Sequence, residues 1–427
     1  MTILSPGGLI YSDTMQPVSP RALLLIAAAA LLVRVGYVLS GPGSPVTGDS
    51  AGYHSYAVHL LDSGVYVNDE RERASRPPGY PLFLAGVYAV FGSSTAAAVA
   101  IQCLLGALTC VLIALLAGGI LQPPWPLACG WAAVLYFGLF SPPAFLLTEC
   151  LFSFLLALAF VALHRGSWPG GRRAFVFGAS LAAAFLVRPE VLLFAVFAVV
   201  LLPFFGKGFG RREALTAALG FALLAGPWVV RNYAVLGRFV PSSTRGGVSL
   251  YAGLQMPLER SGFPVEAFHV PAKDIPELDQ DADYSQAFRR LRASLGWGPV
   301  IRAYAFNLLT HLYPFLPGYD FTFVFLTPLW CYGLWLARVR GELRPAALFV
   351  LLSIALYTLF GGPASRYRQG YAPLLVLLAG AGAAELWARG RSARLWLAGW
   401  GGSNILLWMS AGWIREGALW VKRSFFG

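Results

Sequence analysis

Seven ionisable residues lie at the edges of apolar runs of this sequence: Asp49, Glu149, Arg188, Glu190, Arg231, Arg366 and Arg368. An ionisable group inside a bilayer costs a few kcal/mol on insertion scales, so such residues tend to be paired or functional. Arginine presents a rigid fork of N–H donors that matches a phosphate, and it stays charged at physiological pH. A carboxylate nearby can accept a proton or bind a metal ion. These residue types therefore indicate a site for a phosphate ester with an acid–base partner.

The four arginines are candidates for binding the phosphate. Arg188 follows an apolar run in "LVRPEVLL", and Arg231 follows another in "PWVVRNY". Arg366 and Arg368 flank Tyr367 in the short stretch "SRYRQ". Any of them could instead extend toward lipid headgroups or cap a helix end. For Arg366 and Arg368 we favour phosphate binding, because both lie in one tight loop.

Asp49 and Glu149 are the candidate catalytic carboxylates. Asp49 lies in "GDSAGYHSY", after the first apolar run, where an isolated aspartate would be a turn former or a helix N-cap. The apolar residues that follow it, from Tyr53 to Leu61, recur at helical spacing and predict an amphipathic helix along the membrane surface with Asp49 at its start. Glu149 lies at the start of an apolar run in "LLTECLF"; the alternative role for it is a cap or an interhelical hydrogen bond.

The composition places these residues in a membrane protein. The 427 residues are 57% hydrophobic and 12% charged, whereas about 25% of a typical soluble domain is charged. The net charge is +12, but no basic helix or aromatic platform on a soluble module indicates nucleic-acid binding. The five cysteines all fall in apolar runs, so they do not indicate a disulfide framework or a zinc site.

Eleven apolar runs predict an all-α polytopic protein with about eleven transmembrane helices, since about 20 apolar residues cross the hydrocarbon core. The runs lie at 21–40, 95–120, 125–141, 144–163, 173–187, 190–206, 213–230, 321–337, 345–361, 371–387 and 393–413. Alternate connectors are basic, which predicts that they face the cytoplasm. Two further apolar stretches, 79–92 and 297–316, are predicted to lie at the membrane surface.

This topology divides the chain into four parts. Residues 1–20 are a cytoplasmic tail, and residues 21–230 are an N-terminal transmembrane module that contains the first outer loop, 41–94. Residues 231–320 form a long outer segment, and residues 321–427 are the C-terminal transmembrane helices. The candidate residues then gather near the outer membrane boundary, although they come from separate parts of the chain.

Six stretches, in this order, resemble a known family: "GDSAGYHSYAVHLLDSGVY", "RPPGYPLFLAGVYAVFG", "LLTECLFSFLLALA", "LVRPEVLLF", "PWVVRNYAVLGRFVPSSTRGGVSLYAG" and "SRYRQGYAPLLVLLAG". The sequence is similar to bacterial membrane glycosyltransferases of the GT-C fold, in the clan of protein O-mannosyltransferases and lipid A aminoarabinose transferases. It departs from the O-mannosyltransferase pattern at Asp49, which is followed by Ser50 and not by a second acid. The soluble outer domains of several relatives have no counterpart in this sequence.

The resemblance implies a transferase on the outer face of the bacterial cytoplasmic membrane, with a polyprenyl-phosphate-linked sugar as donor. Its acceptor would be a hydroxyl of a glycan, a lipid or a protein. Asp49 would be the general base or a metal ligand, and Glu149 would lie in the same site. If a metal takes part, Asp49 and Glu149 would bind it as Mg or Mn. Arg188, Arg366 and Arg368 would hold the donor phosphate, and from its position at the end of an apolar run we expect Arg231 to join them. The expected substrate-binding residues are Tyr53, Arg76, Tyr251 and Tyr367.

Chemistry favours the same reaction independently of the resemblance. Expulsion of a polyprenyl phosphate builds negative charge on the leaving group, and arginines would stabilise that charge in the transition state. A single base opposite the leaving group implies direct displacement with inversion. The alternatives are a lipid-linked oligosaccharide ligase or polymerase, a transporter or flippase, and a non-catalytic assembly subunit. A transporter would place its charges near the bilayer midplane in two similar halves, which this sequence does not indicate.

Overall fold

The computed structural model describes residues 18–46, 48–205, 209–271, 275–312, 320–362 and 364–425, and the regular secondary structure within these residues is helical. Most of the predicted tail 1–20 lies outside the described residues, as do 313–319 of the outer segment. The helices are α1 (Pro20–Leu39), α2 (Asp49–Ser63), α3 (Gly79–Phe91), α4 (Thr95–Gly118), α5 (Trp125–Leu135), α6 (Phe137–Phe140), α7 (Glu149–His164), α8 (Gly170–Val187), α9 (Val191–Phe205), α10 (Arg211–Leu236), α11 (Gly246–Arg260), α12 (Glu277–Ser294), α13 (Trp297–Leu312), α14 (Phe321–Leu336), α15 (Arg344–Phe360), α16 (Ala372–Ala388) and α17 (Arg391–Phe425).

Each of the eleven predicted runs is helical within the described residues, but the predicted count of eleven membrane spans is not confirmed. Within the described residues, five helices are long and apolar enough to cross a membrane. The pair α5 and α6, with the turn that follows it, makes a sixth if it counts as one span, although it is bent by 69°. Five further apolar helices have 10 to 17 residues, so length alone does not decide whether they span.

The bend after α5 lies beside a buried arginine of α1. The side chain of Arg34 is fully buried, and it donates to the carbonyl oxygen of Leu139 at 3.0 Å and to that of Ala30 at 3.0 Å. A third contact joins its Nη2 to the sulfur of Cys110, at 3.2 Å. Hydrogen bonding of this kind offsets the cost of a charge in the apolar interior. Arg34 therefore ties α1 to α4 and to the bent segment.

The two helices predicted in the first outer loop are present, and both dock on the bundle. Helix α2 starts at Asp49 and buries Tyr53, Tyr56 and Ala57, as its helical spacing predicted. Helix α3 starts after Pro78, and its first residue touches the end of α8: a Cβ at Gly79 would lie 2.8 Å from the backbone of Leu186. Glycine at this position allows the loop to approach the C-terminal end of α8 closely.

The outer segment is folded against the bundle by three helices. Helix α10 continues to Leu236, so Arg231 lies within that helix and not in the loop predicted to follow residue 230. Helix α13, predicted as a surface helix, is attached to two neighbours, because Asn307 donates to the carbonyl oxygens of Gly253 in α11 and Thr358 in α15. The described part of this segment therefore packs as a cap over one side of the bundle.

Candidate active site

A cleft of about 760 Å³ opens where the first outer loop, the outer segment and the bundle meet. Its wall comes from α2, the 75–77 loop, the N-terminal parts of α7, α9 and α11, the C-terminal ends of α8 and α15, and the short 3₁₀ turn at Ser365–Gln369. Among the described residues, its charged lining consists of four arginines and three carboxylates: Arg76, Arg188, Arg245, Arg366, Asp49, Glu149 and Glu190. Seven of the ten predicted site residues line this cleft: Asp49, Glu149, Arg188, Arg366, Tyr53, Arg76 and Tyr367.

Asp49 lies between two guanidinium groups, and we call Asp49, Arg76 and Arg366 the Asp49 triplet. Its Oδ1 accepts a hydrogen bond from Nη2 of Arg76 at 2.8 Å, and its Oδ2 accepts one from Nη2 of Arg366 at 2.5 Å. Asp49 is the first residue of α2, where a carboxylate also interacts favourably with the helix dipole. The triplet thus joins the first outer loop to the turn before α16.

The surroundings of Asp49 keep it ionised. Burial raises the pKa of Asp49, but Arg76 and Arg366 outweigh burial and lower this pKa to about 2. For Arg366 the signs are reversed. Burial lowers the pKa of Arg366, but Glu149 and Asp49 raise it by more, so the net shift of this pKa is upward. The contribution of Glu149 also shows that Arg366 lies close to the second group of charges in the cleft.

That second group is the Arg188 triplet, made of Arg188, Glu149 and Glu190. Nη1 of Arg188 donates to Oε1 of Glu149 at 3.2 Å, and its Nε donates to Oε1 of Glu190 at 2.6 Å. Arg188 is the C-cap of α8, and Glu149 is the first residue of α7. Both side chains are buried, with exposed fractions of 9% for Arg188 and 4% for Glu149. The Oε2 atom of Glu149 is buried and has no hydrogen-bond partner among the described residues.

Tyrosines form one wall of the cleft beside the Arg188 triplet. The rings of Tyr357 and Tyr367 are stacked with centroids 4.7 Å apart and an interplanar angle of 1°. The guanidinium group of Arg188 lies 5.4 Å and 5.8 Å from these two centroids. The hydroxyl of Tyr357 donates to Glu190. On the opposite side, Arg76 lies over the ring of Tyr53, 5.1 Å from its centroid.

Arg245 is a cleft residue that the sequence interpretation did not single out. It immediately precedes α11, and a backbone hydrogen bond from Thr244 to the carbonyl oxygen of Ala74 holds it beside the loop that carries Arg76. Burial lowers the pKa of Arg245, and so does Arg76. Within the described structure, Arg245 has no carboxylate partner at ion-pair distance. The "STRGG" stretch, an arginine before a glycine-rich helix start, was the available signal.

Two acids of α12 hold these loops in place. Oε2 of Glu277 accepts hydrogen bonds from the backbone N–H groups of Arg73 and Ala74, at 2.9 Å and 3.1 Å. One turn later, Oδ1 of Asp281 accepts from the N–H of Gly247 at the start of α11, at 2.6 Å. Helix α12 therefore fixes the first outer loop and α11 relative to each other, and with them Arg76 and Arg245.

Three predicted site residues are not among the described residues that line the cleft. Arg231 donates to the carbonyl oxygens of Tyr66 and Arg73, at 3.2 Å and 2.7 Å, so it supports the first outer loop from behind. Arg368 is buried; its Nη2 lies 3.2 Å from Oδ2 of Asp320, and its Nη1 donates to the carbonyl oxygen of His311. Both arginines are thus engaged by protein groups.

The third of these residues, Tyr251, belongs to an aromatic cluster in the outer cap. Its ring centroid lies 4.9 Å from that of Phe268 and 6.2 Å from that of Tyr284. Its hydroxyl accepts a hydrogen bond from the backbone N–H of His269 at 3.2 Å. The cluster packs α11 against α12 and the segment that connects them.

The cleft residues do not fit a divalent cation bound by Asp49 and Glu149. Both oxygens of Asp49 already accept hydrogen bonds from arginine, and one oxygen of Glu149 does so as well. Among the described residues, no group of three or more His, Cys, Asp and Glu side chains could hold a metal ion. Hard cations need several oxygen ligands, whereas arginines outnumber carboxylates here.

Comparison with solved structures identifies the fold. The chain superposes on ArnT of Cupriavidus metallidurans bound to undecaprenyl phosphate with a TM-score of 0.54 at 12% sequence identity, over 93% of this chain and 72% of that chain. The chain has the GT-C fold. It is an integral membrane protein with that fold, and the expected all-α GT-C architecture is confirmed.

A second likeness is weaker. The archaeal oligosaccharyltransferase AglB of Archaeoglobus fulgidus, in complex with an inhibitory peptide and a dolichol-phosphate, gives a TM-score of 0.46 at 13% identity, over 86% of this chain and 50% of that chain. The fold assignment rests on the likeness to ArnT. No family model and no curated protein matches the sequence.

Proposed function

We propose that this protein is an inverting glycosyltransferase that moves a sugar from a polyprenyl-phosphate donor to an acceptor hydroxyl. The observation that carries the proposal is Arg245, which lines a cleft that already contains three paired arginines and which, within the described structure, has no carboxylate at ion-pair distance. An excess cation in a half-buried cleft with a mostly apolar wall favours an anionic ligand. The fold supports the same reading, because the similar ArnT structure is bound to undecaprenyl phosphate.

The phosphate of the donor would bind between Arg245 and the Asp49 triplet. Both Arg245 and Arg76 line the cleft, and Arg76 lowers the pKa of Arg245, so an anion bound near the two would relieve the repulsion that Arg245 experiences. The N-terminus of α11 begins at the next residue, Gly246, and contributes its positive dipole end at the same place. Charge that develops on the leaving phosphate in the transition state would be stabilised by these fixed donors.

The polyprenyl chain would leave the cleft between helices. An apolar groove of about 250 Å³ between α8, α9 and α10 shares Leu192 and Val196 with the cleft. Phe177, Leu181 and Phe221 also line it. A groove of this composition suits an isoprenoid chain whose phosphate must remain at the polar boundary. We therefore propose membrane lipid on this side and water on the side of the outer cap.

Asp49 would accept the proton of the acceptor hydroxyl as the new glycosidic bond forms. With a pKa of about 2 in the resting cleft, Asp49 is ionised at any working pH but is a weak base. Donor phosphate that competes for Arg76 and Arg366 would weaken both of its hydrogen bonds and strengthen it as a base. The proton passes to Asp49, the sugar passes to the acceptor oxygen, and the polyprenyl phosphate leaves with the bonding electron pair.

Direct displacement on one face of the sugar gives inversion at the anomeric carbon.

We further propose that the cleft faces the exterior of the bacterial cytoplasmic membrane, since the basic connectors between spans predict the opposite side as cytoplasmic. Hexosyl and pentosyl donors both remain compatible with this proposal. The acceptor is a glycan, a lipid or a protein.

The decisive experiment compares donor binding and transfer in purified protein. Arg245→Ala should weaken binding of polyprenyl phosphate by roughly ten- to hundredfold, as expected for loss of a charge-assisted contact. Arg238→Ala is the matched control, because Arg238 is an exposed arginine on the same connecting segment. Transfer is then measured with membrane extract and labelled polyprenyl-phosphate sugars. Equal binding by the native protein and by both variants would contradict the phosphate assignment.

A further inference from the structure

The two triplets of the cleft differ in the sign of their charge. The Asp49 triplet and Arg245 together carry three guanidinium groups and one carboxylate. The Arg188 triplet has two carboxylates and one guanidinium group. Glu149 and Glu190 lie on either side of Arg188, so the excess negative charge lies in the more deeply buried part of the cleft.

Glu149 has an acceptor that no described residue uses. Its Oε1 is bound to Arg188, while its Oε2 is buried and has no hydrogen-bond partner within the part of the chain that the structure describes. A buried, unsatisfied oxygen of a charged group costs more than the net gain of an ordinary hydrogen bond. Native structures contain few such atoms, and those that occur need an explanation. A ligand that supplies an O–H donor in this part of the cleft would satisfy the atom.

The neighbouring tyrosines suit a ring with one apolar face. Tyr357 and Tyr367 are stacked in parallel, and Glu190 accepts from the hydroxyl of Tyr357. Binding sites for small polar ligands combine aromatic walls with a few placed polar groups that fix orientation. A sugar ring has C–H groups on one face and hydroxyl groups at its rim, which matches a tyrosine wall beside carboxylate acceptors.

We propose that the Arg188 triplet is the subsite for the donor sugar, and that Glu149 selects sugars that present hydroxyl donors and excludes sugars that carry a carboxylate. This inference rests on the proposed glycosyltransferase function. A hydroxyl of the sugar would donate to Oε2 of Glu149, while Arg188 remains held by Glu149 and Glu190. A uronic acid would bring a third carboxylate into a buried group that already has an excess of negative charge, which is strongly unfavourable.

The test measures affinity for three synthetic lipids with the same polyprenyl chain: the bare phosphate, a hexosyl phosphate and the corresponding hexuronosyl phosphate. The native protein should bind the hexosyl lipid at least about tenfold more tightly than the hexuronosyl lipid, the size expected for one charged contact. Glu149→Gln removes one negative charge at constant shape and should reduce this ratio to below about threefold. Its affinity for the bare phosphate should not fall, because the negative charge that is lost lies close to Arg366.

Several results would overturn the proposal. Equal affinity of the native protein for the two sugar lipids would do so without any variant. An unchanged ratio of hexosyl to hexuronosyl affinity in Glu149→Gln would also contradict the proposal. So would an equal loss of affinity for all three lipids, because that result would indicate a structural role for Glu149. Glu190→Gln serves as the second variant if Glu149→Gln is not monodisperse in detergent. If the native protein binds none of the three lipids, both the proposed function and this inference fail. If it binds the bare polyprenyl phosphate but does not distinguish the hexosyl lipid from the hexuronosyl lipid, only this inference fails.

Discussion

Arg366 donates a hydrogen bond to Asp49 across 317 positions of the sequence, with Nη2 and Oδ2 2.5 Å apart. Arg76 contacts the other oxygen of the same carboxylate, so one side chain connects the first outer loop with the turn before α16. An ion pair that joins segments so distant in sequence requires the whole bundle to be assembled. The candidate active site is therefore a product of the complete fold and not of a local motif.

Asp49→Asn should reduce sugar transfer by about 10²- to 10⁴-fold, the usual contribution of a general base. The amide keeps the size of the side chain but cannot take the acceptor proton. Binding of polyprenyl phosphate should be unchanged or tighter, because Arg76 and Arg366 lose their carboxylate partner. Transfer from labelled polyprenyl-phosphate sugars and lipid affinity are measured on the same preparations. The control is Asp69→Asn, because Asp69 is an exposed residue of the same loop. Transfer by Asp49→Asn at the native rate would show that Asp49 has no part in catalysis.

The pH dependence of stability should identify the ion pairs of Asp49. Because its pKa is lowered from 3.8 to about 2 in the folded protein, the carboxylate stabilises the fold at any pH above its unfolded value. That contribution is lost as the pH falls through 3.8 toward 2. The difference in melting temperature between native protein and Asp49→Asn should be constant above pH 4 or so and should shrink below it. A difference that already shrinks near neutral pH would contradict the lowered pKa.

Sugar transfer should be insensitive to removal of divalent cations. The oxygens of Asp49 are bound to two arginines, and the excess of arginines over carboxylates in the cleft disfavours a cation. Transfer is measured after dialysis against EDTA and again after addition of Mg²⁺ or Mn²⁺. The rates should agree within about twofold, well below the several kcal/mol that a catalytic metal contributes. Loss of transfer that added Mn²⁺ restores would show that the cleft rearranges to bind metal.

Arg231→Ala should weaken the support of the first outer loop. Arg231 donates to the carbonyl oxygens of Tyr66 and Arg73 and lies over the ring of Trp228, 4.8 Å from its centroid. Loss of these charge-assisted hydrogen bonds should lower the free energy of unfolding by about 2 kcal/mol. Affinity for polyprenyl phosphate should fall only a few-fold, through the displaced loop. A loss of affinity as large as that of Arg245→Ala, with an unchanged melting temperature, would favour direct phosphate binding by Arg231.

Local patterns predicted the helices well, because each depends on neighbouring residues. The apolar spacing after Asp49 gave a helix that starts at that residue, and all eleven apolar runs are helical. The bend after Leu135 was missed, since the apolar run continues through it without interruption. The number of spans stays open because several of these helices are short.

The partners of the charged residues could not be read from the sequence. Arg366 and Arg368 are two positions apart and have the same local signal, yet one lines the cleft and the other is paired with Asp320. Which side of a short turn faces the cleft depends on packing against α2 and α14, which are distant in sequence. Arg245 was overlooked for the same reason, because no local pattern shows that it lies in the cleft without a carboxylate partner among the described residues.

The ion pair of Arg368 and Asp320 should contribute stability and not donor affinity. Both side chains are buried, with exposed fractions of 4% and 7%. Arg368→Met should destabilise the protein by about 3 to 5 kcal/mol, because it leaves a buried carboxylate without its partner. The double variant Arg368→Met with Asp320→Asn should recover much of that loss, since no uncompensated charge remains and asparagine can still cap α14. Thermal unfolding in detergent measures both effects. The double variant should bind polyprenyl phosphate like the native protein; if its affinity falls as far as that of Arg245→Ala, Arg368 contacts the donor after all.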